Sequence, residues 1–246
     1  FTPSRIPVEG LLILDKASYI YCVSDYVRQR FLEGLTGSIE KVQVVYNGVD
    51  IPEVIHQKQK IITYAGRLIP EKGILELVKA MAVLLPKYPS WHFNVIGAYG
   101  FGRPLGATDF EQQLFLEAKP AEAQIAFLGH QPQTSVIHKL EESSLVIVPS
   151  TGIEAFGRVA IEAMAQGCAV ITSVSGGLKE ITADTPYYVE QITTESLIEA
   201  VDSLLKDEQL LQQAQVWSRQ QVQRFSLKEQ LNSLDNVRVI LLGEGE

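Results

Sequence analysis

Arg67 and Lys72 lie in GRLIPEKG (66–73), and Glu154 and Glu162 lie in PSTGIEAFGRVAIEAMAQG (149–167), with seven residues between the two glutamates. Two cations on one strand-to-helix turn can hold an anion, and Lys72 precedes a helix whose N-terminus favours negative charge. Gly66 lets the chain turn tightly there. Around Gly157, Arg158 and Val159 a second helix is expected to begin, offering free backbone amides to phosphate oxygens. Carboxylates beside such a site repel phosphate, so Glu154 and Glu162 suit the hydroxyls of a ribose or a sugar. Gly176 and Gly177 in SGGLKE (175–180) permit positive φ and a close backbone approach to a ligand. Taken singly, each feature has an ordinary reading. Arg67, Lys72 and Glu154 would be solvated charges, Glu162 a first-turn acid answering the helix dipole, and the glycines a tight turn. Their common place at one end of a sheet points instead to one anionic, hydroxyl-rich ligand.

The elements that must position these residues alternate. Strands are expected at IITYAG (61–66), HFNVIG (92–97), IAFLG (125–129), LVIVPS (145–150), AVITSV (169–174) and YYVE (187–190). They are apolar almost throughout, as strands covered on both faces are. Helices are expected over 73–88, 109–119, 134–144, 158–166 and 194–206. In the first, Ile74, Leu77, Val78, Met81 and Leu85 form one stripe. This alternation predicts a doubly wound parallel sheet of the α/β class, which binds ligands at the carboxyl ends of its strands. Beyond Lys206 the pattern is helical to the end, and Leu227, Leu231, Leu234, Val237 and Leu241 make a last apolar stripe.

The first fifty residues differ. YIYCVS (19–24) and VQVVYN (42–47) are two strands around one helix, DYVRQRFLEGL, too little to enclose a core. EVIHQKQK (53–60) is polar and reads as a linker. Residues 1–50 therefore read as the closing segment of another domain, or else as extra strands of the same sheet.

Among the 246 residues, Asp and Glu (29) outnumber Lys and Arg (21), for a formal charge of -8. A protein living on nucleic-acid phosphates shows the opposite balance. Cys22 and Cys168 lack metal or disulfide spacing, which fits a reducing compartment. FTPSRIPVEG carries no signal-peptide pattern, and the longest apolar runs are strand-sized, far below the roughly 20 residues of a membrane span.

The set GRLIPEKG, FLGH (127–130), PSTGIEAFGRVAIEAMAQGCAVI and GGLKEI, with VSDYVR and YNGVD upstream, resembles retaining glycosyltransferases of the GT-B fold, in family four (glycosyl transferases group 1). The spacing of Glu154 and Glu162 matches that family's E-x7-E motif, and the likeness runs from Cys22 to about Glu190. The resemblance implies two facing Rossmann-like domains, the C-terminal one binding a nucleotide-sugar donor. It implies that Arg67 and Lys72 hold the donor diphosphate and that Glu162 takes the ribose hydroxyls. Glu154 would contact hydroxyls of the transferred sugar and completes a catalytic set with Arg67 and Lys72. Gly66, Gly176, Gly177 and the amides of Gly157, Arg158 and Val159 would face the donor, with the base near Leu128, Gly129 and His130. The implied reaction moves a sugar, from a UDP-sugar by family frequency, to a glycan, lipid or saccharide acceptor with retention and without metal or cofactor. No D-x-D pair occurs in the chain, against the common metal-dependent alternative.

On this resemblance, residues 1–50 close an N-terminal acceptor domain, 51–226 bind the donor, and 227–246 form a helix packing back on the N-terminal segment. Donor binding with weak transfer is expected, since the glycine-rich loop and histidine of the acceptor half have no match here. A cytoplasmic place in polysaccharide or lipopolysaccharide biosynthesis is expected, with peripheral membrane contact through the N-terminal half, and so is self-association through apolar surface around 19–47. Two features depart from the family pattern. Ala169 stands where proline is usual, and GAYGFGRPLGATDF (97–110) is long and glycine-rich. Within it, GFGRPLG (100–106) is one residue too long for a dinucleotide fingerprint, which sets an NAD oxidoreductase aside. A nucleotide-sugar epimerase of the same architecture and a non-catalytic binding module remain as alternatives.

Overall fold

Six parallel strands carry the structure, a computed structural model that describes residues 6–37, 39–100, 102–182, 185 and 187–242, with side chains described between 10 and 239. The N-terminal part comprises α1 (Ile6–Lys16), β1 (Ile20–Cys22), α2 (Asp25–Leu32) and β2 (Val42–Val44). The main sheet then opens with β3 (Gln59–Ala65), α3 (Ile74–Leu84), β4 (His92–Ile96), α4 (Asp109–Ala118) and β5 (Ile125–Gly129). It continues with α5 (Gln133–Glu142), β6 (Ser143–Val148), α6 (Arg158–Ala165), β7 (Ala169–Ser173), α7 (Leu178–Ile181) and β8 (Tyr188–Val189). The last helices are α8 (Thr194–Leu205), α9 (Glu208–Gln221) and α10 (Leu227–Leu242).

The strand order is β5-β4-β3-β6-β7-β8, every pairing parallel. The chain starts at the centre, runs outward to β5, then returns to place β6 beside β3. The order reverses between those two strands, and a crevice opens at their carboxyl ends. This is the α/β, Rossmann-like doubly wound sheet expected from the alternation.

Every residue of β6 is buried. Leu145 and Ile147 pack into one layer with the α3 stripe, while Val146 and Val148 pack into the other with α6. Alternation across a pleat covered on both sides explains why the strand reads as an unbroken apolar run. All five residues of the expected stripe are fully buried, four of them in α3 and Leu85 in the 3-10 turn that follows it.

Several boundaries moved for identifiable reasons. β3 begins at Gln59, so the last two residues of the expected linker belong to the sheet. β6 begins at Ser143, inside the expected helix. The Ser143 hydroxyl donates to Lys139 O (2.6 Å) and accepts from Thr63 Oγ1 (2.7 Å), while Ser144 Oγ donates to Gln59 O (2.5 Å). Buried serines with partners thus begin a strand that the polar pattern assigned to a helix. The helix expected over 73–88 is α3 between two 3-10 turns, one holding Pro70 and the other Pro86.

β1 and β2 form a separate two-stranded parallel sheet. Its small core joins Leu14 of α1 to Cys22 and Val42, with Val27, Phe31 and Leu32 of α2 against it. α1 was not anticipated from the sequence. The last helix was expected to cover this piece. Its first turn meets residues 48–49, where Leu227 N donates to Val49 O (3.0 Å), and the Leu227 and Leu231 side chains are exposed whereas Val237 is buried. The Leu241 side chain lies outside the described residues. Among the described residues no helix is long and apolar enough to cross a membrane.

Candidate functional site

The loops leaving β3 and β6 meet at the switch point and are tied together by backbone. Glu71 O accepts from Thr151 N (3.0 Å) and Gly152 N (2.8 Å). Gly73, at φ 65°, lies so close to the β6 loop that a Cβ there would sit 1.9 Å from Pro149 O. A Cβ on Gly97, at φ 136°, would likewise sit 1.8 Å from Gly66 O.

Two clefts open above this junction. The smaller, about 270 Å³, is lined by Gly66, Arg67, Gly97, His130, Gln133, Val159 and Glu162, among others. The larger, about 590 Å³, is lined by Arg67, Pro70, Lys72, Tyr99, Gly152 and Ile153, among others. Arg67 lines both. Its side chain is exposed and, among the described residues, makes no hydrogen bond or ion pair. Lys72 is half-buried and donates to Glu154 Oε1, which also accepts from Ser150 Oγ.

Glu162 is buried in the wall of the smaller cleft. Arg158 Nη2 donates to its Oε1 at 3.1 Å. Burial pushes its carboxyl above the ordinary carboxylate range, while Gln133 and Arg158 pull the other way.

Other expected site residues make contacts within the frame. Leu128 and Gly129 end β5 without lining either cleft: Leu128 O accepts from Gln131 Nε2 (2.6 Å) and Gly129 O from Gly97 N (2.8 Å). Gly157 caps α6 at φ 105°, where a Cβ would meet Leu178 Cδ2 at 2.3 Å. The close approach of Gly176 and Gly177 is to the β6 loop itself. Their added Cβ atoms would sit 2.2 Å from Glu154 O and 2.5 Å from Ala155 O. Ser150, Gln133 and Tyr99 join the site without having been expected there. Ser150 was findable by the same rule of strand ends, whereas Gln133 reaches Glu162 only through the tertiary fold.

The long loop after β4 is pinned. Glu111, fully buried, accepts from Tyr99 N (2.9 Å) and Thr108 N (3.1 Å). Phe101 lies outside the described residues.

The family model for glycosyl transferases group 1 matches residues 50–221. The chain belongs to the glycosyl transferases group 1 family. Proteins similar to it include the lipopolysaccharide 1,2-N-acetylglucosaminetransferase of Salmonella typhimurium, 32% identical over 63% of this chain and 42% of that protein. The D-inositol 3-phosphate glycosyltransferase of Corynebacterium glutamicum is 32% identical over 61% of this chain and 36% of its own length. The chain thus spans less than half the length of these two curated relatives. Among solved structures, Anabaena HepE in complex with UDP and glucose superposes with a TM-score of 0.82 at 22% identity, covering 96% of this chain and 67% of that one. The C-terminal domain of the group 1 family protein LpcC from Francisella tularensis is 30% identical, with a TM-score of 0.61 over 70% of this chain and 89% of that domain. The fold of this group 1 chain is that of GT-B glycosyltransferases over the shared part.

Proposed function

We propose that this group 1 chain carries the donor site of a retaining glycosyltransferase that uses a nucleoside-diphosphate sugar, UDP-sugar first. The observation that carries the reading is Arg67 standing between a cleft walled by the buried Glu162 and a cleft walled by Lys72, which is paired with Glu154. In this reading the nucleoside lies in the smaller cleft, with its ribose hydroxyls on Glu162 and its base toward His130. The diphosphate bridges to Arg67 and Lys72, and the sugar hydroxyls reach Glu154. Family membership and the UDP-glucose complex of Anabaena HepE support this choice of ligand.

The bond from the anomeric carbon to the phosphate oxygen breaks, one to an acceptor hydroxyl oxygen forms on the same face, and the proton of that hydroxyl passes to the leaving phosphate oxygen. Charge grows on the leaving diphosphate, where two cations stabilise it most as the bond parts, leaving no step that requires a metal. Residues 1–50 belong in this reading to the acceptor-side domain, and the acceptor is a glycan or lipid-linked saccharide handled in the cytoplasm during polysaccharide or lipopolysaccharide synthesis. Thermal shift across a nucleotide-sugar panel, followed by calorimetry, tests the donor site. Wild type should bind UDP, and Arg67→Ala should weaken it by about 1.5–3 kcal/mol, the scale of a charge-assisted hydrogen bond. Equal affinity of the two proteins would overturn the assignment. Product analysis separates the alternatives, since an epimerase returns a new nucleotide-sugar whereas a transferase releases nucleoside diphosphate to an acceptor.

A further inference from the structure

The loop that carries Glu154 is gripped from behind by the 20–47 segment. Ser24 is fully buried, and its hydroxyl donates to Ala155 O (2.6 Å) while accepting from Val27 N (3.1 Å). The Glu180 carboxylate spans the next two amides of α2: Oε2 accepts from Asp25 N (2.9 Å) and Oε1 from Tyr26 N (2.8 Å). The Tyr46 hydroxyl donates to the same Oε2 at 3.0 Å. A helix begins with unpaired N–H groups and a positive dipole end. Here three of those groups are satisfied by Ser24 and by a carboxylate 155 positions away in sequence.

The clamp is continuous with the donor loop. Glu180 N donates to Gly177 O (3.2 Å), and Gly177 N donates to Glu154 O (2.8 Å). Arg224 Nη2 donates to the carbonyls of Glu180 (2.5 Å) and Ile181 (3.0 Å). The Tyr46 ring packs 5.8 Å from Phe156 and 5.3 Å from Phe225. Burial and the Glu180 carboxylate push the Tyr46 phenol up to about 12, which keeps it a neutral donor. Neither Ser24 nor Glu180 lines either cleft.

We infer that Glu180 is a positioning residue, which holds the 154–157 loop against α2 in the geometry Glu154 needs to engage the donor sugar. This rests on the donor site proposed above. It makes sugar recognition depend on a helix N-terminal to the donor-binding sheet.

The test uses Glu180→Ala, Glu180→Asp and Ser24→Ala in the full chain, with thermal melts to confirm folding. Amide hydrogen exchange on the ligand-free protein reads the clamp, and the ratio of UDP-glucose to UDP affinity reads its consequence. Glu180→Ala should speed exchange at Asp25, Tyr26 and residues 152–157 by about tenfold or more. It should leave UDP affinity within about twofold and lower the affinity ratio about tenfold, while Glu180→Asp keeps part of it. Ser24→Ala should act in the same direction and supplies the test if Glu180→Ala does not fold. Wild-type exchange rates across 152–157 in the variants, or an unchanged affinity ratio despite faster exchange, would overturn the inference. Wild type that binds no nucleoside diphosphate would sink the donor reading, and exchange in the ligand-free protein would still decide the clamp.

Discussion

Lys72 donates to Glu154 Oε1 across 82 positions of sequence and joins the loop after β3 to the loop after β6. Ser150 donates to the same oxygen. In the donor reading Lys72 must exchange this carboxylate for a phosphate, so the pair opposes diphosphate binding and releases Glu154 for a sugar once it parts. Glu154→Gln should therefore strengthen binding of the bare nucleoside diphosphate by about 1 kcal/mol while removing the increment that the sugar adds. Lys72→Ala should weaken diphosphate binding by about 1.5–3 kcal/mol. Calorimetry with UDP and UDP-glucose on both variants checks this. Weaker UDP binding by Glu154→Gln would show that the carboxylate assists the diphosphate.

In the donor reading Glu162 couples affinity to pH. Its folded-state pKa lies above the unfolded value, chiefly through burial. The stability this group contributes is therefore present below the unfolded carboxylate pKa and lost as pH rises through the raised folded value. Glu162→Gln removes that loss. The variant should melt above wild type at neutral pH, and the gap should close as the pH falls below the ordinary carboxylate range. Nucleoside diphosphate affinity should fall by about 1–2 kcal/mol in the same variant, because a charged acceptor for ribose hydroxyls is gone. Lowering the pH should weaken wild type more than Glu162→Gln. Parallel pH profiles would remove Glu162 from the ribose site.

Backbone approach at the switch point predicts a stability contrast between two glycines. Gly73→Ala forces a left-handed conformation on a side chain and drives its Cβ into Pro149 O. No rotamer relieves a clash with backbone, so the cost should be about 2–4 kcal/mol. Gly100, which lines the smaller cleft, has nothing within 4 Å of an added Cβ. Gly100→Ala should stay within about 0.5 kcal/mol of wild type. Urea denaturation of both variants checks the pair, and equal losses would mean the two loops are free to part.

The sheet was legible because both faces of its strands are covered, so LVIVPS and AVITSV read as short apolar runs between helical stripes. The clustering of Arg67, Lys72, Glu154 and Glu162 was also legible, since the rule of strand carboxyl ends needs only the order of elements. Pairing inside the cluster was not. Nothing local in GRLIPEKG states that Lys72 turns to Glu154, and nothing in GGLKEI states that Glu180 caps a helix 155 positions earlier. Gly176 and Gly177 were read for a ligand because a double glycine marks close approach without saying to what. In the fold the approach is to the backbone of Glu154 and Ala155. α1 escaped because its core contact, Leu14 against Cys22 and Val42, is tertiary, while its neighbours Leu11, Leu12 and Ile13 are exposed and blur any stripe.

Those three exposed residues carry the last expectation. Leu11, Leu12 and Ile13 are 44%, 60% and 48% exposed on consecutive positions of α1, and Tyr21 and Ile39 add further exposed apolar area in the same N-terminal part. Consecutive helix positions are turned about 100° from one another, so the three make no single patch, but each leaves apolar area that association can cover. Burying a leucine that is half exposed stabilises by about 1 kcal/mol, so several such residues together suffice for association at high protein concentration. The chain should therefore show concentration-dependent self-association by light scattering. Leu12→Glu should shift it toward monomer without lowering the melting temperature, because Leu12 is the most exposed of the three and lies outside the Leu14–Cys22–Val42 core. A variant that associates as wild type does would place the contact elsewhere, with exposed Leu227 and Leu231 of α10 the next surface to substitute.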